Sequence, residues 1–372
     1  MNSIKKISLI MPSFRGGGAE RVFIDLADGF VNAGYIVDLV VLSDDGPYRE
    51  FVNKKIKVVC LSGESASRSF FKLKKYIKIC NSTTIISCLT HLNIIVLLSS
   101  AFSRFKGQVI VTEHNHYSLE KENLPPIKSF FLKVCARLLY PIADHVVAVS
   151  QGVADDLSAH LKLDSNRVEV IYNPIDFERI SSLSKCIPEN ITPFMSELLS
   201  RRYFIGIGRL VKQKRYDLMI TAFREVHRYD SDVFLVILGD GPLESELRQL
   251  IEDSKLENCV YLLGFLDNPF YLLSSANALV LSSDFEGFGN VIAEALVLGT
   301  PVVSTNCPSG PSEILADGKF GILVESGEIN ELAEAMFETL QVSKLEKYEL
   351  IERGKKFDKS SAVSKYEKLC RG

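Results

Sequence analysis

The chain has 372 residues, 47% of them hydrophobic and 24% charged, with 23 Gly and 13 Pro; this is the composition of a folded globular protein and excludes disorder and low complexity. At roughly 100–200 residues per domain the length predicts about two domains, each large enough to bury its own core. A formal charge of −3 gives no electrostatic ground for a nucleic acid partner, although 22 Lys/Arg stand against 18 Asp/Glu over residues 1–180 and 21 against 28 over 181–372, so an anionic surface would meet the first half.

The N-terminal MNSIKKISLIMPSF holds an apolar run of only five residues before Pro12, too short for a signal-peptide core, and reads as a first strand, Ile7 to Met11. A glycine-rich turn, a helix from Ala19 to about Ala33 and a strand from Ile36 to Leu42 follow. The 25 residues between Lys78 and Arg104 carry no charge but include Asn81, Thr83, Thr84, His91 and Asn93. They read as a buried strand, Thr84 to Cys88, and a buried helix rather than a membrane span. Further strands are expected at Val109 to Thr112, Val146 to Val149 and Val168 to Ile171. A second set runs from Phe204 to Ile207 through Val233 to Leu238, Val260 to Leu263, Ala278 to Leu281, Pro301 to Ser304 and Gly321 to Val324. Short apolar runs alternating with helical segments are the mark of a parallel sheet covered by helices. The pattern occurs twice, so the expected fold class is α/β with two doubly wound, Rossmann-like domains facing across a cleft. The N-terminal domain is expected over 1–178, completed by a C-terminal helix at 357–372. A linker with Pro188 and Pro193 occupies 179–199, and the second domain spans 200–356. Eight scattered cysteines without a C-x-x-C pair read as reduced, mostly buried thiols in a cytoplasmic protein.

In such sheets ligands sit beyond the carboxyl ends of the strands, which directs attention to the loops that follow them. After the first strand, Arg15-Gly16-Gly17-Gly18-Ala19-Glu20 leads directly into a helix whose amides can cradle an anion; a tight strand-to-helix turn is the plainer reading. Asp38 lies 20 residues past Gly18, as a ribose-binding acid would, but reads as a surface strand residue. The second set opens with Gly206-Ile207-Gly208-Arg209-Leu210-Val211-Lys212-Gln213-Lys214-Arg215, in which Arg209 and Lys214 suit a diphosphate. Downstream, Ser283-Asp284-Phe285-Glu286-Gly287-Phe288-Gly289-Asn290 runs into a helix carrying Glu294, so two acids eight residues apart flank the amides of a helix start. The plainer alternatives are a surface acid at Glu286 and a helix-face acid at Glu294.

At these residues the sequence resembles the retaining glycosyltransferases of family four, which have the GT-B fold. Glu286-x7-Glu294 within FEGFGNVIAEALVLGTPVV, Gly208-Arg209-Leu210 with Lys214, and Gly17-Gly18-Ala19-Glu20 match family motifs in order, as do Asn173-Pro174-Ile175-Asp176 and Gly239-Asp240-Gly241-Pro242. Thr112-Glu113-His114-Asn115 and Cys307-Pro308-Ser309-Gly310-Pro311-Ser312-Glu313 are most similar to bacterial members that build lipid-linked oligosaccharides, O-antigen, capsule or exopolysaccharide. The resemblance implies transfer of a hexose or N-acetylhexosamine from a nucleotide sugar, UDP-linked in the first instance, to a lipid-linked saccharide. Arg209 and Lys214 would hold the diphosphate, Glu294 the ribose, and Glu286 with the amides of Phe288, Gly289 and Asn290 the transferred sugar. Gly17 and Gly18 would admit the diphosphate and acceptor to the first domain, and His114 would contact a sugar hydroxyl. Attack is implied from the face the phosphate leaves, with no protein nucleophile, no metal and no cofactor. Arg215 stands where many members have glycine.

A basic amphipathic stretch, Arg68 to Ile79, reads either as a core-packing helix with a solvated face or as a peripheral contact with an anionic membrane at the inner face of the cell. Phe130 to Tyr140 reads as core. A nucleotide-sugar epimerase of the same fold, a catalytically silent nucleotide-binding subunit and, more distantly, a nicotinamide-dependent oxidoreductase remain as alternatives.

Overall fold

The computed structural model describes residues 5–62, 66–122, 125–187, 198–341 and 346–371. The chain divides into two compact units, Met1–Ile175 with Lys359–Gly372, and Asp176–Asp358.

Seven parallel strands form the sheet of the first unit, in the order β3-β2-β1-β4-β5-β6-β7: β1 (Lys6–Met11), β2 (Ile36–Val41), β3 (Lys57–Cys60), β4 (Thr84–Cys88), β5 (Gln108–Glu113), β6 (His145–Ala148) and β7 (Val168–Val170). Helices cover both faces, so the central strands are continuous apolar runs rather than alternating ones. Ile7, Leu9, Ile10 and Met11 have no exposed surface. The edge strand β3 was not expected from the sequence: its four residues are half exposed and bounded by Lys54, Lys55 and Lys57, the charge that guards an edge and hides the strand.

The helix Gly18–Asn32 turns Val22, Phe23, Leu26 and Phe30 into this core. The C-terminal helix Lys359–Leu369 lies against it, with the rings of Phe30 and Tyr366 edge to face at 6.4 Å and Lys359 Nζ 2.8 Å from Asp28. At Gly29 an added Cβ would collide with Val363, so the approach of the two helices depends on that glycine. The uncharged stretch forms β4 and the helix Thr90–Ser103. Among the described residues no helix is long and apolar enough to cross a membrane.

Two expectations are corrected here. Asp38 is not a surface residue. It lies within β2, opposite Ser8 of β1, is 2% exposed, and binds Lys6 Nζ at 2.7 Å and the Tyr76 hydroxyl at 2.7 Å. Tyr76 and Ser82 both reach Ser8 Oγ, so Asp38 anchors the helix Ala66–Ile79 to the sheet. The helix Pro126–Leu139 is not core: only Ala136 is fully buried, while Ile127, Phe130, Phe131, Val134 and Leu138 face outward. Their spacing of i, i+3, i+4, i+7 and i+11 puts all five on one face.

The second unit repeats the topology with six parallel strands in the order β10-β9-β8-β11-β12-β13: β8 (Arg202–Ile207), β9 (Val233–Leu238), β10 (Val260–Leu262), β11 (Ala278–Leu281), β12 (Val302–Thr305) and β13 (Ile322–Val324). Phe204, Leu235, Ile237 and Val280 pack with Phe223 and Val226 of the helix Tyr216–Tyr229 and with Leu332 and Met336 of Ile329–Gln341. The segment expected as a linker contains the helix Phe177–Leu183, which belongs to this unit and packs beside the helices Phe270–Ser275 and Asn290–Leu298. Pro188 and Pro193 lie outside the described residues. All eight cysteines are free thiols, five of them buried.

Replacing Asp38 by Ala strands the Lys6 ammonium and the Tyr76 hydroxyl, and should cost about 2–3 kcal/mol, because hydrogen bonds to charged groups are the stronger ones. Urea unfolding checks this, and a loss under about 0.5 kcal/mol would contradict the anchoring role.

Candidate active site

In the second unit the chain runs outward from β8 through β9 to β10, then returns to the other side of β8 at β11. The loops leaving the carboxyl ends of β8 and β11 therefore lie at the point where strand order reverses, the place where open α/β sheets bind ligands. These are the loops carrying Arg209 to Arg215 and Ser282 to Asn290.

Short-range hydrogen bonds join the two loops. Asp284 N donates to Gln213 O at 2.8 Å, Gln213 Nε2 to Phe285 O at 2.7 Å, and Ser282 Oγ to the carbonyls of Lys214 and Arg215 at 2.8 and 2.9 Å. From behind, the Gly239-Asp240-Gly241-Pro242 turn supports the arginine loop, since Gly208 N donates to Leu238 O and Leu210 N to Asp240 O, both at 2.9 Å. Gly239 and Gly241 have no room for a Cβ, which would strike the backbone of Gly208 and Leu210. The Cys307-to-Ser312 loop supports the other side. Glu286 N donates to Pro308 O at 3.1 Å, and a Cβ on Gly310 would meet Phe288 O.

This framework brings Lys214 and Glu286 together: Lys214 Nζ lies 2.6 Å from Glu286 Oε1, and Ser283 Oγ donates to the same oxygen at 2.7 Å. Glu286 is 6% exposed, so it is not the surface acid of the plainer reading, and its charge is matched inside the fold. Ser283 is in turn fixed by Thr305 Oγ1, which donates to its carbonyl at 2.7 Å. Burial and the neighbouring Glu286 charge push the Cys307 thiol up to about 12, which keeps it protonated beside the pair.

Phe288 is buried, Gly289 takes φ +94° at the N-cap of the helix Asn290–Leu298, and Glu294 is half buried one turn inside that helix. The helix start gives the loop an anion-favouring end. Arg209 is exposed at the same end of the sheet. Arg215 pairs its guanidinium with Asp217 and Asp284, each at 3.1 Å. Its backbone has φ +47°, a conformation glycine adopts without strain. Among the described residues no group of three or more His, Cys, Asp or Glu side chains is arranged to hold a metal ion.

The first unit gathers Gly17, Gly18 and His114. Gly17 is the N-cap of the helix Gly18–Asn32 in extended conformation, and an added Cβ would collide with the Glu20 carboxylate. Phe23 of that helix meets the His114 ring edge to face at 5.7 Å, so the glycine loop's helix and the histidine after β5 share one end of the sheet. His114 is 7% exposed, and burial pushes its imidazole down to about 3, leaving it neutral at physiological pH. Preceding it, Glu113 accepts from Thr90 Oγ1 at 3.1 Å, Asn93 Nδ2 at 3.2 Å and the Tyr140 hydroxyl. That network fixes the end of β5 beneath His114. Neither Ser283 nor Thr112, which contacts His114 Nε2 at 2.8 Å, was singled out from the sequence; the only signal was their place within the motifs that carry Glu286 and His114.

Comparison with known proteins identifies the family. Residues 16–179 match the family described as Glycosyltransferase Family 4, and residues 194–357 match Glycosyl transferases group 1. The N-acetylgalactosamine-N,N'-diacetylbacillosaminyl-diphospho-undecaprenol 4-alpha-N-acetylgalactosaminyltransferase of Campylobacter jejuni is 32% identical over 370 residues, covering 96% of each chain. The amylovoran biosynthesis glycosyltransferase AmsD of Erwinia amylovora is 25% identical over 331 residues and 87% of each chain. Among solved structures, Anabaena HepE in complex with UDP-glucose superposes with a TM-score of 0.81 at 22% identity, covering 99% of this chain and 100% of that one, which shows the shared GT-B fold. Two Rossmann-like units, the paired acids beside a helix start and a relative similar along nearly its whole length together establish that this chain belongs to glycosyltransferase family 4.

Proposed function

We propose that this glycosyltransferase moves a hexose or N-acetylhexosamine, with retention at the anomeric carbon, from a UDP-sugar to a lipid-linked saccharide in the assembly of a bacterial surface polysaccharide or glycan. The observation that carries this reading is the Lys214–Glu286 pair at 2.6 Å, which joins the two loops at the reversal point of the sheet. One sugar-orienting carboxylate and one phosphate-binding ammonium are thereby held at adjacent points, as a nucleotide sugar requires. The acceptor class rests on the named activity of the Campylobacter relative.

In this mechanism Arg209, Lys214 and the helix-start amides offset the charge that develops on the departing diphosphate, the electrostatic contribution that usually dominates such catalysis. The acceptor hydroxyl approaches from the face the phosphate leaves. Its oxygen bonds to the anomeric carbon as the carbon–phosphate oxygen bond breaks, and its proton passes to the leaving phosphate. Glu286 Oε1 is already engaged by Lys214 and Ser283, which suits a hydrogen-bond acceptor for sugar hydroxyls better than a nucleophile. Neither metal nor cofactor takes part in this scheme.

The acceptor's lipid places the enzyme at a membrane surface, and the first unit has a face suited to it. Ile127, Phe130 and Phe131 are 86%, 70% and 65% exposed on one helix, flanked by Lys128, Lys133 and Arg137. Apolar side chains bounded by cations fit an anionic bilayer at the inner face of the cell membrane. In the helix Ala66–Ile79, Leu73, Tyr76 and Ile77 are buried while Phe71, Ile79 and the lysines at 72, 75 and 78 remain outside, so it adds charge to the same unit.

Four outcomes are expected. In excess chelator UDP should raise the melting temperature and NAD should not; a ligand at 100 times its Kd adds about 2.7 kcal/mol. A shift with NAD alone would sink the reading. Arg209→Ala and Glu294→Ala should weaken the UDP shift, whereas Glu286→Ala should retain it and lower turnover about 100-fold. Lys214→Met leaves the Glu286 carboxylate unmatched and should cost about 3 kcal/mol; adding Glu286→Gln should restore most of that stability and none of the transfer, and equal transfer by all these variants would refute the site. Phe130→Ser with Phe131→Ser should abolish co-sedimentation with phosphatidylglycerol vesicles while leaving the UDP shift intact; undiminished sedimentation would reject this face.

A further inference from the structure

One face of the helix Lys347–Lys355 is turned toward the framework of the second unit's site. Leu350, Arg353 and Gly354 share that face, at i, i+3 and i+4, and Phe357 follows one turn on, its N–H donating to Gly354 O at 3.0 Å. Gly354 is buried, and an added Cβ would lie 2.7 Å from Val297 N, so the helix rests on the backbone of Asn290–Leu298, which carries Glu294. Arg353, half-buried, reaches the loop after β12. That loop ends in the short helix Pro311–Leu315, and the turn beyond it serves the carbonyls of Ser312 and Leu315 through Asp317 N and Phe320 N, both at 2.9 Å. The guanidinium takes the two carbonyls between them: Nε donates to Ile314 O at 2.7 Å and Nη2 to Glu313 O. A planar fork suits two adjacent acceptors, which a single ammonium does not. The same group lies over the rings of Phe320 and Phe357, 5.5 and 5.2 Å from their centres, and Phe357 meets Phe288 edge to face at 5.4 Å.

We propose that Arg353 is a positioning residue for the donor site: it holds the Cys307-to-Ser312 loop through the carbonyls at its far end and the Phe285-to-Asn290 loop through Phe357, so that the amides after Glu286 keep the geometry that orients the transferred sugar. This rests on the reading of that loop as sugar-binding. The two loops define each other, since Glu286 N donates to Pro308 O at 3.1 Å and Gly310 leaves room for Phe288 O. Tying both to one helix fixes them as a pair. The loop of Arg209 and Lys214 is held separately, by Gly208 N on Leu238 O and Leu210 N on Asp240 O. Loss of Arg353 therefore acts on the sugar more than on the diphosphate, and a misplacement of about 1 Å at a reacting centre can cost about 100-fold in rate.

The test pairs hydrogen exchange with turnover in the full chain. In Arg353→Ala, peptides covering 284–292 and 305–317 should exchange faster by mass spectrometry while those of β8 and β11 keep wild-type rates, a readout that needs no ligand. UDP release from UDP-glucose, UDP-galactose, UDP-N-acetylglucosamine and UDP-N-acetylgalactosamine, assayed with a bacterial lipid extract, should fall about 10- to 100-fold with UDP affinity unchanged. Millimolar guanidinium, which can reoccupy the vacated space, should restore part of that rate; further slowing by guanidinium would show damage to stability alone and overturn the inference. Arg353→Lys keeps the charge and most of the stem without the fork, and should fold as the wild type does yet lose about fivefold in turnover, the value of one hydrogen bond. Wild-type exchange in both peptides, or wild-type turnover in a folded Arg353→Lys, would also overturn it. Absence of UDP binding by the wild type would instead reject the donor-site reading, and the exchange pattern would still decide whether Arg353 holds the two loops.

Discussion

The ion pair between Lys214 and Glu286 is the constraint on which the second unit's site depends. A carboxylate 6% exposed cannot stay charged without a partner, and Lys214 reaches it only because the two loops are sewn together through Gln213, Asp284 and Ser282. The glycines at 239, 241 and 310 serve the same end by letting backbone approach backbone. Loop geometry, not side-chain reach, thus sets where the charges lie, and the pair holds Lys214 in place before any phosphate arrives. In the proposed reaction such preorganisation would let the lysine stabilise a departing diphosphate without reorganising.

The first unit shares the topology and uses it for different chemistry. Its buried polar residues form a hydrogen-bonded set in which Tyr140, Asn93 and Thr90 donate to Glu113, Asn93 also donates to the Thr112 carbonyl, and Thr112 Oγ1 contacts the Ser87 carbonyl and His114. These fix the carboxyl end of β5, where a neutral ring stands. A hydrogen-bonded polar network specifies a geometry that an apolar core leaves looser.

Much of this was legible in the sequence because parallel strands buried on both faces are written as unbroken apolar runs, and Thr84 to Cys88 and Val233 to Leu238 match their strands residue for residue. What failed did so for a common reason: periodicity reports that a segment has two faces but not what covers them. Asp38 has the offset of a ribose acid and the look of a surface residue, yet Lys6 and Tyr76 enclose it. Phe130 and Phe131 look like core, yet the helix turns them outward and packs instead through the side that holds Ala136. The short β3 disappears among its flanking lysines. The motifs named Glu286 and Lys214 separately, but their 2.6 Å contact depends on a fold that brings together residues 72 apart in sequence.

Arg215 shows how charge near the site is kept in balance. A guanidinium at a position with φ +47° adds a further cation next to Lys214 in the chain, and Asp217 and Asp284 both pair with it. Lys214 is likewise matched by Glu286, while Arg209 and Lys212 are the exposed cations of the loop. In the absence of donor, the pairing prevents a concentration of positive charge that would repel itself. In the proposed reaction Lys214 would not have to leave Glu286: an ammonium has three donors, and one directed at the carboxylate leaves others for a phosphate oxygen. Sharing the lysine in this way would link the orientation of the sugar to the charge of its leaving group.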